Sequence, residues 1–113
     1  MVAKQYVPNR GDVIWINLNP TKGHEQANLR PALVLSPQNY NKKTHLCVVC
    51  PITSNSKKYP FEVMFEGKKV QGVILSDHVR SLDWKQREVR FVEKVSSDTL
   101  GEVIEKLTVL ISG

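Results

Sequence analysis

Apolar residues recur with a period of two along most of this chain, and a helical period replaces it only near the end. That rhythm points to a mainly β fold with one C-terminal helix. In Asp12-Val-Ile-Trp-Ile-Asn-Leu18, alternation sets Ile14, Ile16 and Leu18 on one face and Val13 and Trp15 on the other. The runs at 32–36 and 45–52 are almost continuously apolar, as strands covered on both faces require. Residues 61–66 alternate again, with Phe61, Val63 and Phe65 inward and Glu62 and Glu66 outward. Runs at 70–78 and 89–95 bring the set to about five to seven short strands, which suggests a small barrel or sandwich. Leu100, Val103, Ile104, Leu107, Leu110 and Ile111 then recur at helical spacing. They predict a helix packed on the sheet, capped by Ser97 or Asp98, with its acidic side in water and Gly101 weakening its first turn. A fainter signal allows a helical turn at 37–40.

A chain of 113 residues supports one domain spanning 1–113 and excludes a multidomain enzyme. With 24% charged residues, six Gly and six Pro, it is neither disordered nor of low complexity. No apolar run approaches the ~20 residues that span a bilayer, and the first residues lack the apolar stretch of a secretory signal. The expected compartment is the cytoplasm. The net charge of +5 is unevenly placed: residues 1–94 carry +7 and residues 95–113 carry −2. A basic body of this kind favours polyanions, chiefly nucleic acid.

Three connections carry the polar chemistry, at 20–31, 53–60 and 77–84. The pair Cys47 and Cys50 lies within a strand-like run, with no second cysteine pair and with His24, His45 and His78 scattered. An extended strand sets them ~10 Å apart, too far for a disulfide, so they read as ordinary strand residues. The chain has no phosphate-binding glycine loop, nucleophile elbow or HExxH motif. The notable cluster is His24-Glu25-Gln26 with Arg30. It reads either as a loop-closing Glu25–Arg30 ion pair or as a site for RNA cleavage. In the second reading the ribose 2′-hydroxyl attacks its own phosphodiester, so the protein supplies neither nucleophile nor metal. Glu25 would move a proton, Arg30 would fork onto the non-bridging oxygens, and Thr53 would complete the phosphate cradle.

Several motifs, in order and spacing, resemble the MazF/PemK/Kid toxins of bacterial type II toxin–antitoxin systems. They are Gly11-Asp-Val-Ile-Trp15, Asn19-Pro-Thr-Lys-Gly-His-Glu-Gln26, Arg30-Pro-Ala-Leu-Val-Leu-Ser36, Pro51-Ile-Thr53, Tyr59-Pro-Phe-Glu-Val63 and Gly72-Val-Ile-Leu-Ser-Asp-His-Val-Arg-Ser-Leu-Asp83. The resemblance implies a compact SH3-like barrel with a C-terminal helix, a homodimer, and a metal-independent endoribonuclease without cofactor. It implies cutting of single-stranded RNA to a 2′,3′-cyclic phosphate and a 5′-hydroxyl, growth arrest, and inhibition by a cognate acidic antitoxin. By motif, Glu25, Arg30 and Thr53 match the catalytic positions, while His24 and Asp77 match residues of the Kid-like branch. That branch has an arginine two residues before the aspartate, where this chain has Leu75, so the Glu–Arg–Thr arrangement is the one expected. Several relatives have glutamine where this chain has His78. Gln26, Asn28, Ser54, Lys57, Lys58, His78 and Arg80 join His24 and Asp77 as expected RNA-binding residues. Tyr59 and Trp84 are either stacking platforms or core anchors, and Trp15 is an expected interface residue. The alternative is a non-catalytic CcdB-like gyrase poison or an RNA-binding module on the same fold. CcdB-type toxins, however, lack the GHEQ…RP loop and depend on a tryptophan-containing C-terminus, where this chain ends Leu110-Ile-Ser-Gly113.

Overall fold

The computed structural model describes residues 5–18 and 29–113. In chain order these form β1 (Asp12–Asn17), β2 (Leu29–Val34), α1 (Gln38–Thr44), β3 (Leu46–Thr53), β4 (Glu62–Glu66), β5 (Gln71–Leu75), β6 (Arg80–Asp83), β7 (Arg90–Lys94) and α2 (Ser97–Ser112). The strands make one antiparallel sheet in the order β4-β5-β3-β2-β1-β7, with β6 also paired to β3. The expected mainly β architecture with a C-terminal helix is the one the chain adopts.

The sheet is buried on both faces, which is why its central strands read as continuous apolar runs. One core gathers Val13, Leu33, Cys50, Ile52, Val63, Phe65 and Ile74, with Val103 of α2 packed onto it. The other gathers Ile14, Ile16, Ala32, Val34, Cys47, Val49, Leu82 and Trp84. Cys47 and Cys50 therefore belong to opposite faces, and burial pushes each thiol up to about 12. They are inert core residues, as the strand reading requires.

Three expectations about elements are corrected. Residues 80–83, taken as loop, form β6, which pairs with Leu46–Val49 although only Leu82 of the four is buried. The helical turn at 37–40 is a full helix to Thr44, and its single buried side chain is the amide of Asn41. Asn41 accepts from Ser36 Oγ and donates to Pro8 and Ser36 carbonyls, and its own carbonyl receives the Trp84 indole N–H at 2.9 Å. Helix α2 is capped by Ser96 instead of Ser97 or Asp98, its hydroxyl accepting from Thr99 N–H. The α2 stripe is covered only in part: Val103 is buried and Leu100 and Leu107 pack against the same core, whereas Leu110 is 49% and Ile111 75% exposed.

The curl of the sheet is fixed by Glu93 on β7. Its carboxylate accepts the backbone N–H groups of Lys68, Lys69 and Val70 in the β4–β5 turn, at 2.9, 2.9 and 3.0 Å. Burial works to raise its pKa, but these three bonds and the charge of Lys69 outweigh it and hold the carboxyl below the usual glutamate range. A folded-state value below the unfolded one, ~4.3, stabilises the fold above that value, and the benefit is lost as pH falls through the folded-state value. Glu93→Gln is expected to lower stability by roughly 1–2 kcal/mol at pH 7. The difference from the parent should shrink as pH falls through the lowered folded-state value, read by urea unfolding across pH. A Cβ added at Gly101 meets nothing within 4 Å, so Gly101→Ala should raise stability by about 0.5–1 kcal/mol in the same assay.

Candidate active site

The β2–β3 ladder pairs Val34 with Val49, Leu33 with Cys50 and Ala32 with Pro51. Arg30 and Thr53 each lie two residues beyond the last of these pairs, Ala32 with Pro51. The sequence reading placed Arg30 in a loop; it is instead in β2, paired with Ile16 of β1, so its backbone is held by the ladder. A groove of about 430 Å³ opens at this point, lined by Trp15, Arg30, Pro31, Thr53, Ser54 and Gln71 among others. Arg30 is exposed and donates from Nη1 to the Leu29 carbonyl at 3.0 Å. Thr53 Oγ1 accepts Asn55 N–H at 3.1 Å, closing a small turn and leaving the hydroxyl hydrogen available to a ligand.

Thr53 is also the wall of a second cavity of about 380 Å³, lined by Lys57, Tyr59, Glu62, Asp77 and His78. The Tyr59 hydroxyl donates to Asp77 Oδ1 at 2.7 Å, and His78 Nε2 stands 3.8 Å from the same oxygen. Burial first, then the bond to Asp77 and the charges of Asp77 and Glu62, push the Tyr59 phenol up to about 12, so it stays a donor. Glu62 shapes the intervening loop. It accepts from Ser56 Oγ at 2.6 Å, Lys57 N–H at 2.8 Å and Lys58 N–H at 3.1 Å. The Ser56 and Lys57 bonds lead in holding its carboxyl below the usual range, the Lys58 bond adds to them, and burial opposes. Lys58 takes the left-handed backbone, φ 54°, that this tight loop demands.

The structure thus brings Arg30, Thr53 and Ser54 to one groove and Thr53, Lys57, Asp77 and His78 to the adjoining one. Lys58 and Arg80 line neither. Arg80 donates instead to the Leu18 carbonyl at 3.1 Å, beside Arg87, which donates to the Asn17 carbonyl at 2.6 Å. These two arginines fasten the end of β1 from which the chain leads toward Glu25. His24, Glu25, Gln26 and Asn28 lie outside the described residues. Trp84 is a core anchor, 4% exposed, and Trp15 is half-buried at the groove. Among the described residues, no three His, Cys, Asp or Glu side chains gather to hold a metal ion.

Gly72, which is not among the expected site residues, is part of the site. It takes a φ of +153°, and a Cβ there would meet the Thr53 carbonyl oxygen at 2.3 Å. Bare backbone at Gly72 is what lets β5 lie close against Thr53. A lone glycine inside a strand pattern was the available signal.

The PemK-like, MazF-like toxin of type II toxin–antitoxin system is a family whose profile matches residues 9–111. The chain belongs to that family. The endoribonuclease toxin MazF of Escherichia coli strain K12 is 46% identical over 110 residues, covering 97% of this chain and 99% of that one. A crystal structure of MazF from Deinococcus radiodurans superimposes with a TM-score of 0.86 at 47% identity, covering 96% of this chain and all of that one. The MazE–MazF complex of Deinococcus radiodurans contains a chain matching with a TM-score of 0.85 at 43% identity, covering 96% of this chain and 98% of that one. In this PemK/MazF-family chain, Gly72→Ala should lower stability by about 2–3 kcal/mol, because the strand must retreat from a backbone oxygen. Thermal unfolding checks it, and a crystal structure of the variant should show Thr53 displaced.

Proposed function

We propose that this chain is an endoribonuclease toxin of a type II toxin–antitoxin system, one toxin domain over its 113 residues, working as a cytoplasmic homodimer. Its substrate is single-stranded RNA and its inhibitor an acidic antitoxin attracted to the same basic groove. The family supports the activity, and the observation that carries the site is that Arg30 and Thr53 line one groove. Among the described residues no helix is long and apolar enough to cross a membrane.

RNA brings its own nucleophile, so the protein positions and stabilises. The 2′-hydroxyl loses its proton and attacks the adjacent phosphorus. The P–O bond to the departing 5′-oxygen breaks, and that oxygen takes up a proton. The products are a 2′,3′-cyclic phosphate and a 5′-hydroxyl. Arg30 presents a planar fork to the non-bridging oxygens as charge builds. The Thr53 hydroxyl donates to one of them. Glu25, on the segment that leaves β1 and returns into β2, is assigned proton transfer with Arg30 as its counterpart. In the adjoining cavity Asp77 and His78 offer hydrogen bonds to a base edge, and Lys57 there and Ser54 in the Arg30 groove hold the flanking backbone. His24, Gln26 and Asn28, from the same segment as Glu25, complete the RNA contacts.

Glu25→Ala and Arg30→Ala should each reduce cleavage of a defined RNA by about 10²–10⁴-fold, with the unfolding midpoint unchanged. Full activity in both would sink the assignment. Product ends mapped on that RNA should carry the cyclic phosphate, and cleavage should persist in EDTA.

A further inference from the structure

At the opposite end of β3 from Thr53, His45 ends α1 and opens onto another cavity, of about 500 Å³. Its base is the buried Trp84 with Val7, and Gln5, Gln38, Lys42, His45 and Lys85 line it. Among the described residues, no carboxylate lines it. The nearest acidic side chain in sequence, Asp83, stands at its margin, where its Oδ1 accepts the backbone N–H groups of Lys85 and Gln86 at 3.0 and 3.1 Å. Among the described residues, neither Lys42, His45 nor Lys85 is in an ion pair. Two ammonium groups, an imidazole and two amides therefore share one concavity.

The cavity is built and not an accident of loose side chains. Trp84 is fixed by its indole bond to the Asn41 carbonyl at 2.9 Å and by its backbone N–H to the His45 carbonyl at 3.1 Å. Gln38 is fixed by its bond to the Val7 carbonyl at 3.1 Å. His45 holds a left-handed backbone, φ 63°, a conformation usually left to glycine or asparagine at a helix end. Its ring stands edge-on to Trp84, with centroids 6.4 Å apart.

We propose that this cavity is a phosphate-binding site, taking a phosphate ester of a nucleic acid at a distance from the cleavage groove. Lys42 and Lys85 supply charge, and His45, Gln38 and Gln5 supply directed donors to the phosphate oxygens. Eight residues of β3 at ~3.3 Å each separate the two sites by roughly 26 Å, so an RNA held at both must extend well beyond the bond being cut. The role in substrate capture rests on the proposed RNA cleavage, whereas phosphate binding itself does not.

The test compares the parent with Lys42→Gln/Lys85→Gln and with Lys43→Gln/Lys68→Gln, a control that loses equal charge outside this cavity. Fluorescence anisotropy is read on a short RNA, on the same sequence with long flanks, both 2′-deoxy at the cut site so that binding is scored without cleavage, and by titration with a mononucleotide. The Lys42/Lys85 variant should bind the long RNA about tenfold more weakly, with a salt slope reduced by about two and short-RNA binding unchanged. Loss of mononucleotide binding with unaltered long-RNA binding would support the same site with a free phosphate ester as its source. Equal binding of all probes by variant and parent would overturn the proposal, as would an equal loss in the control. RNA that binds but is never cut in the uncapped ribose form would instead count against the proposed activity alone.

Discussion

Strand β3 has one edge with two successive partners, and the site depends on how that edge is shared. β6 pairs with Leu46–Val49 and β5 with Ile52 and Thr53, leaving a break between them. An interrupted edge normally strands a backbone donor. Val48 donates to Ser36 and accepts from Leu35, so alternation turns the nitrogen of Pro51 toward the edge that β5 and β6 share. Proline has no N–H to leave unpaired, and the break falls where it costs least. Into that break the chain inserts Ser76, Asp77, His78 and Val79, which is how Asp77 and His78 come to stand beside Thr53.

Carboxylates do a second kind of structural work here. Glu62 binds the backbone of Lys57 and Lys58, Glu93 that of Lys68 and Lys69, and Asp83 that of Lys85. In each turn the lysine gives its N–H to an internal carboxylate while its ammonium faces outward. Asp12, 2% exposed, closes the pattern by accepting Asn9 N–H and Tyr6 hydroxyl while paired with Lys94 at 2.6 Å. Lysine ammonium groups thus stand at the loop tips, while four of the eleven acidic side chains are turned onto the backbone. That is the physical form of the basic surface that the sequence only sums.

Legibility followed the source of each element's stability. The strands around Ile14, Val49 and Val63 and the helix around Val103 are held by apolar burial, and periodicity exposed them. Strand β6 is held by the ladder it adds to β3, so Arg80-Ser81-Leu82-Asp83 shows no alternation of its own. Helix α1 buries an amide, a signal that hydrophobic patterning cannot register. In the site, motif order singled out Arg30, Thr53 and Asp77, but not their arrangement: that Arg30 sits on a strand, that Tyr59 occupies Asp77, or that Arg80 is turned to the Leu18 carbonyl. These depend on partners tens of residues away. Gly72 stayed invisible for the same reason, since its meaning is the Thr53 carbonyl beside it.

Thr53 belongs to both cavities, and this constrains the proposed reaction. The groove with Arg30 offers cationic and hydroxyl donors, which suit phosphate. The cavity with Asp77 offers a carboxylate acceptor whose Oδ1 is already taken by Tyr59, with His78 beside it. A carboxylate in that position rejects phosphate by repulsion and accepts the amino or imino hydrogens of a base. One threonine separating a phosphate site from a base site means that the bond cut and the base read are neighbours along the RNA. Sequence preference and cleavage position are then coupled through the backbone of β3. A displacement of Thr53 would disturb both together, while a change at His78 would alter the base read and leave the phosphate chemistry in place.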